Sequence, residues 1–195
     1  MQVKAAVPAI DLQGQDVLPI IEAYFEFVHL KQLYRQGWLR HGISTERCES
    51  VAEHSFAVAL LVLFLADAHF PHLDRDKALR MALLHDFGEI YAGDFVPADG
   101  LSVQEKHRLE KNSIVQVLTK LPNGPTYVAL WEEFERGGSA EAQLVRQVDR
   151  LEMALQAGVY EHQGLADLAE FFDTAAASLD APVLQGILDR LRDLQ

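Results

Sequence analysis

Ionisable side chains stand on apolar helical stripes at several places in this chain. In "MALLHDFGEIYAGD", residues 81–94, an apolar helical pattern gives way to His85, Asp86 and Glu89 where apolar residues should continue. Residues three and four apart share a helix face. Ala78, Met81, Ala82, His85 and Glu89 therefore form one stripe that starts apolar and ends ionisable. Asp86 sits about 100° further round. His54 repeats the pattern, in line with Val51, Val58 and Leu61, and Asp149 repeats it again between Val145 and Met153. A buried carboxylate is very costly without a partner, so these groups call for a cation, a salt bridge or a metal. His54, His85, Asp86 and Asp149 offer two imidazoles and two carboxylates from three helices. That mixed nitrogen and oxygen set suits a divalent transition metal better than a pure oxygen set would. Four protein ligands on a six-coordinate ion leave positions for water and substrate. Such an ion makes water a usable nucleophile near neutral pH and polarises the oxygen under attack. Taken singly, each residue has a plainer reading. A lone histidine on an apolar face is more often a hydrogen-bonded core residue, and Asp149 has Arg146 and Arg150 as neighbours. Spacing alone leaves open whether the three helices converge.

The elements that would position these groups read as helices throughout. Apolar residues at helical spacing run over residues 17–36 and stop at Gly37, and "GWLRHGISTERC" then reads as a loop. A strongly apolar helix follows over 49–68, with Ser50 as its cap. Asp74 can cap the next, over 75–90, before the loop "YAGDFVPADGLS". A polar helix spans 102–121, and Pro125 suits the first position of a short helix carrying Trp131 and Phe134. "RGGS" ends that helix, and Ser139 opens another that continues to about residue 161. Two amphipathic helices, split by "LDAP", complete the chain. No segment alternates like a strand, and no internal repeat or low-complexity linker is evident. The expectation is one all-α domain over residues 1–195.

Composition narrows the function classes. A chain of 195 residues suits one sizeable domain, which buries roughly 70% of its unfolded surface without any covalent staple. The net charge of −12 disfavours a nucleic-acid polymer or an anionic membrane as partner, while a locally positive pocket for a small anion remains open. A single cysteine, Cys48, rules out an intramolecular disulfide and makes the cytoplasm the default location. The N-terminus lacks a signal-peptide pattern. The longest apolar run, "FAVALLVLFLA", has 11 residues against the roughly 20 of a membrane span, so it reads as a core helix.

Three motifs in order, "ESVAEHSF", "ALLHDFGEIYAGD" and "QVDRLEMALQA", resemble the HD-domain metal-dependent phosphohydrolases, and the "HD-x-x-E-x-x-x-x-D" run with "EKHR" is closest to their 5′-deoxynucleotidase branch. The resemblance covers about residues 37–161. It implies a single HD-domain helical bundle-like fold, with extra C-terminal helices over 164–195. It further implies one divalent transition metal ion (Co, Mn, Fe, Ni or Zn) on His54, His85, Asp86 and Asp149, and Glu89 as the residue that activates water or shuttles its proton. Asp94 matches the loop aspartate associated with the substrate's sugar, and "GWLRHG" offers Trp38 and Arg40 for nucleotide and phosphate. The family's cyclic-dinucleotide, guanosine-alarmone and triphosphate-hydrolysing members carry residues that this run lacks.

Bottom-up reasoning supplies further candidates. Arg40 and Arg47 flank the first candidate ligand helix, and an arginine grips phosphate in a bidentate way; a solvated loop charge is an equal reading for Arg40 and the plainer one for Arg47. The basic cluster Lys106, His107 and Arg108 reads as an exposed face paired with Glu105 and Glu110, or as a rim that attracts anionic substrate. Glu53 precedes His54 and could orient it, but a solvated carboxylate is the plainer reading. The resemblance implies, as the functional expectation, hydrolysis of 2′-deoxynucleoside 5′-monophosphates to deoxynucleoside and phosphate. The alternatives are a phosphoesterase for another small phosphorylated metabolite and a non-catalytic metal- or nucleotide-binding regulatory domain. The apolar C-terminal helices could supply a homodimer interface, and their amphipathic pattern fits intrachain packing equally well.

Overall fold

A computed structural model describes residues 3–12, 14 and 16–194. The first long helix, α1 (Pro19–Phe27), opens on a proline, which suits a position whose N–H has no helical partner. It is much shorter than the 17–36 expected. A 3₁₀ turn over Val28–Lys31 follows, and the chain then straightens so that Leu33 and Tyr34 form single bridges to Val3 and Ser50. Both residues are buried, so the apolar pattern persists where the helix does not. A short helix, α2 (Gln36–Arg40), replaces the start of the expected loop.

The next helix, α3 (Val51–His69), begins as the sequence requires. Ser50 accepts from the Glu53 amide while the Glu53 carboxylate accepts from the Ser50 amide, a reciprocal cap. Asp74 caps α4 (Arg75–Leu84) through the Lys77 amide at 3.0 Å. This helix ends at Leu84 instead of reaching residue 90. Bonds from the Phe87 amide to Leu84, Glu89 to Asp86 and Ile90 to Phe87 span only three residues. They tighten the chain into a turn that leads to α5 (Glu89–Ala92). The 3.6-residue stripe therefore stops at His85.

The remaining helices match the expected punctuation: α6 (Val103–Leu118), α7 (Gly124–Arg136), α8 (Ala140–His162), α9 (Ala169–Ser178) and α10 (Pro182–Arg192). Ser102 and Ser139 cap α6 and α8. Gly137 closes α7 with a φ of 62°, a left-handed turn that glycine adopts without steric cost. No strand occurs among the described residues.

Two apolar groups form the interior. In the larger, Val58 and Val62 of α3, Met81 and Ala82 of α4, and Val148 and Leu151 of α8 are wholly buried, and α9 and α10 add Phe172, Leu184 and Leu188. The smaller joins Leu33, Val51, Ile90, Ile114 and Trp131. By length and composition α3 could cross a membrane, but it is packed between α4 and α8 as a core helix. Val51 belongs to the smaller group and Val58 to the larger. His54, between them on the same helix, lies at their junction.

The turn before α5 is set by close packing. A Cβ at Gly88 would lie 2.6 Å from the Cβ of Glu110 on α6, so only glycine fits there. That contact buries Glu110. Burial, aided by nearby Glu135, pushes its carboxyl up to about 7 despite Lys106 at 3.3 Å. A raised acid favours the folded state below its ordinary value of 4.5 and loses that contribution as pH rises through about 7. Glu110→Gln removes this dependence, worth on the order of 2 kcal/mol. Thermal unfolding should find the variant several degrees more stable than wild type at pH 8 and level with it near pH 4.5. Equal melting temperatures at both values would refute the assignment.

Candidate functional site

His54 is fully buried in the first turn of α3. Its Nδ1 lies 2.6 Å from Glu152 Oε2, and its Nε2 lies 3.1 Å from Asp149 Oδ1. His85, just past α4, places Nδ1 2.7 Å from the Ala82 carbonyl and Nε2 3.4 Å from His54 Nε2. A carbonyl or carboxylate oxygen only accepts, so each Nδ1 donates. In a neutral imidazole the other nitrogen then carries a lone pair. Both Nε2 lone pairs therefore face one another, with Asp149 Oδ1 beside them. Asp86 Oδ2 joins them, 3.2 Å from His85 Nε2 and 3.7 Å from His54 Nε2.

Such a convergence demands positive charge at its centre. Protons can provide it. Burial and Arg35 pull His54 down, yet the hydrogen bonds it donates to Asp149 and Glu152 raise it to about 10. Burial also opposes a charge on His85, and Asp86 outweighs it. Burial likewise disfavours charge on Asp86 and Asp149, but their imidazole partners hold both well below the usual carboxylate range. A divalent cation would serve all four groups at once. The fit is good: donor atoms of His54, His85 and Asp149 all lie within 4.8 Å of one another, and Asp86 Oδ2 is buried without a hydrogen bond.

Beside this cluster lies a second set of charges. Arg35 Nη1 is 3.6 Å from Asp86 Oδ2 and 3.4 Å from Asp94 Oδ1. Asp94, also buried, accepts the Gln36 amide, which fixes the segment carrying Arg35. Glu89 is 3% exposed, and its Oε2 has no hydrogen-bond partner. Burial, with Asp86 and Asp94 nearby, pushes its carboxyl well above the usual range, against the pull of Arg35 and Lys106. Trp131 donates its indole N–H to the His85 carbonyl at 3.1 Å, and the His107 ring stacks on the indole.

His54, His85, Asp86 and Asp149 thus come together, with Glu89 and Asp94 close by. Trp38 and Arg40, expected at the nucleotide and phosphate, have other neighbours. Trp38 is 2% exposed and packs its ring against Tyr160 and Phe171. Its indole N–H donates to Glu49 at 2.7 Å, so it has no face to offer a base. Arg40 is half-exposed and paired with Asp99. The arginine at the cluster is Arg35, which was missed because no periodicity marks it in the bridging segment. Glu53 does not orient His54, since its carboxylate is engaged with Ser50 and Lys4. Glu152 does so, and the helical rule could have found it three residues after Asp149.

A helical bundle gathering a histidine, a His-Asp pair and a distant aspartate at one buried point defines a class of protein. Residues 27–187 match the family model described as HD domain, and the chain belongs to that family. Among curated proteins it is similar to the 5′-deoxynucleotidase HDDC2 of Homo sapiens, with 32% identity over 191 residues, 96% of this chain and 91% of that protein. Among solved structures it is similar to the PH0347 protein of Pyrococcus horikoshii OT3, with 35% identity, a TM-score of 0.75, and 90% and 99% of the two chains covered. A predicted metal-dependent phosphohydrolase from Magnetospirillum magnetotacticum MS-1 is 26% identical, with a TM-score of 0.69 over 90% and 92% of the two chains.

Proposed function

We propose that this chain hydrolyses 2′-deoxynucleoside 5′-monophosphates to deoxynucleoside and phosphate. The observation that carries the reading is the opposition of the two Nε2 atoms at 3.4 Å, flanked by Asp86 and Asp149 and bordered by Arg35 and Glu89. The similarity to curated 5′-deoxynucleotidases supports the substrate class. His54, His85, Asp86 and Asp149 would hold one divalent transition metal ion. When bound, that ion supplies Lewis acidity to the phosphoryl oxygens and acidifies water. The chain's own residues do the rest. Arg35 presents a fixed cation to the phosphate dianion. Asp94 holds Arg35 and the Gln36 backbone in place, beside the expected position of the sugar. Glu89 accepts a proton from the attacking water and can return one to the departing 5′-oxygen.

Phosphate release from a panel of deoxy- and ribonucleoside monophosphates, with Co²⁺, Mn²⁺, Mg²⁺ or chelator, tests this reading. Metal-dependent release favouring deoxy substrates is expected. Release from neither series with any metal would sink the proposal and leave a phosphoesterase for another metabolite or a regulatory domain.

The same proposal includes a cytoplasmic location, a small phosphorylated molecule as ligand, and neither nucleic-acid polymer nor membrane as partner. It also includes a homodimer. On the outer face of α3, Phe56 and Phe64 are 63% and 61% exposed, with Leu60 partly exposed between them. That apolar stripe is a better candidate for self-association than the C-terminal helices, whose Leu184 and Leu188 are used internally.

A further inference from the structure

Behind His54, on the side away from Asp86 and Asp149, a second group of side chains is assembled. Glu152 is 4% exposed, and its Oε2 lies 2.6 Å from His54 Nδ1. Donor atoms of Glu49, His54 and Glu152 lie within 4.8 Å of one another. Glu49 in turn accepts the Trp38 indole N–H at 2.7 Å, and its amide meets the Tyr160 hydroxyl at 3.0 Å. Tyr160 also packs edge-on against the Trp38 ring. Three separate elements, α2, the segment before α3, and α8, therefore converge on the rear of one imidazole. A cavity of about 530 Å³ borders this arrangement, lined in part by Cys48, Glu49, Glu152 and Tyr160.

Two carboxylates in a largely buried setting are expensive to keep. A core that needed only shape would fill these positions with apolar residues. A histidine that must present Nε2 as a lone pair has a different need. Its Nδ1 has to stay protonated and its ring has to be held at one angle. A buried carboxylate accepting from Nδ1–H does both, and it raises the electron density at Nε2. Glu152 is placed to do this, and Glu49, anchored by Trp38, limits where the Glu152 carboxylate can move.

We propose that Glu152 is a positioning residue for the metal centre: it fixes the tautomer and angle of His54, and Trp38 and Glu49 form the outer support that keeps it there. The proposal rests on the reading of His54 as a ligand. Trp38 would then influence metal affinity and not the recognition of a base.

Equilibrium dialysis of Co²⁺ against folded protein tests this without reference to turnover. His54→Ala is the control for the underlying reading, and retention of wild-type Co²⁺ affinity by that variant would remove the reading and this proposal together. With that control in hand, Glu152→Leu is expected to bind Co²⁺ about 10- to 100-fold more weakly. Glu152→Gln, whose amide oxygen still accepts from Nδ1–H, is expected to recover most of the loss. The ¹⁵N shifts of His54 should report a protonated Nδ1 in wild type and in Glu152→Gln at every pH, and a mixed tautomer in Glu152→Leu once the ring is neutral. A Leu variant with wild-type affinity and tautomer, or a Gln variant as weak as Leu, would overturn the proposal. Should Glu152→Leu fail to fold, Trp38→Phe stands in. It keeps the aromatic packing and removes the bond to Glu49, so a several-fold loss of affinity is expected, and an unchanged affinity would count against the outer support.

Discussion

Asp86→Ala is expected to lose metal-dependent phosphate release by at least about 10³-fold, because it removes a carboxylate that faces both imidazoles and Arg35. Asp86 Oδ2 lies 3.2 Å from His85, 3.7 Å from His54 and 3.6 Å from Arg35. On the proposed reading its deletion takes away a metal ligand, and it leaves Arg35 paired with Asp94. Loss of activity would also follow from misfolding, so a second measurement is needed. A metal that binds only the folded state stabilises it by about 2.7 kcal/mol at one hundred times its dissociation constant. Wild type should therefore melt higher with Co²⁺ than with chelator, whereas Asp86→Ala should melt at the same temperature in both. The metal-free variant should itself be less stable than wild type at neutral pH. Asp86 has a depressed pKa, so its contribution is present above its ordinary value of 3.8 and is lost only as pH falls well below it. A variant that keeps its Co²⁺ shift would show that Asp86 is not a ligand, whatever its activity.

Much of the helical framework was readable from local chemistry. Ser50, Asp74, Ser102 and Ser139 cap the helices that their positions foretell, because a cap is decided within four residues. Errors arose where tertiary contacts decide. Residues 17–36 carry apolar side chains at helical spacing, yet Leu33 and Tyr34 are extended because they reach Val3 and Ser50, which local periodicity cannot report. The break after Leu84 is similar, for it depends on Gly88 meeting Glu110 on α6.

The site divides along the same line. His54, His85 and Asp149 were conspicuous because each interrupts an apolar stripe. Arg35 interrupts none, since it follows extended residues, and only the fold brings it to Asp86 and Asp94. Trp38 and Arg40 show the complementary case. Their residue types suit nucleotide and phosphate, but the fold turns Trp38 inward to Glu49 and pairs Arg40 with Asp99. A residue type states what a side chain can do, and only its neighbours state what is left for it to do.

Glu89 is the case where those neighbours argue for chemistry most strongly. A carboxylate whose Oε2 is buried without a partner is a cost to the fold, and Asp86 and Asp94 add repulsion. Neither burden helps a structural centre, but both raise affinity for a proton, which suits a group that must take one from water. Glu89→Gln keeps the shape and removes the proton site. It is expected to fold, to bind Co²⁺ with near-normal affinity, and to lose 10²- to 10⁴-fold in kcat. The pH profile separates this from a packing defect. In wild type the rate should fall as pH drops through the raised pKa of Glu89, since the ionised form is the acceptor. That limb should vanish from the residual activity of Glu89→Gln. Metal-free stability should move the opposite way. The raised acid favours the folded state below its ordinary value of 4.5, and that contribution is lost as pH rises through the folded pKa. The Gln variant should therefore melt above wild type at pH 8 and converge with it near pH 4.5. A variant that gains stability yet turns over normally would leave Glu89 as a buried oddity and move the proton transfer to another group. A gain in stability together with a collapse in kcat is the signature of a carboxylate kept for its reaction at the expense of the fold.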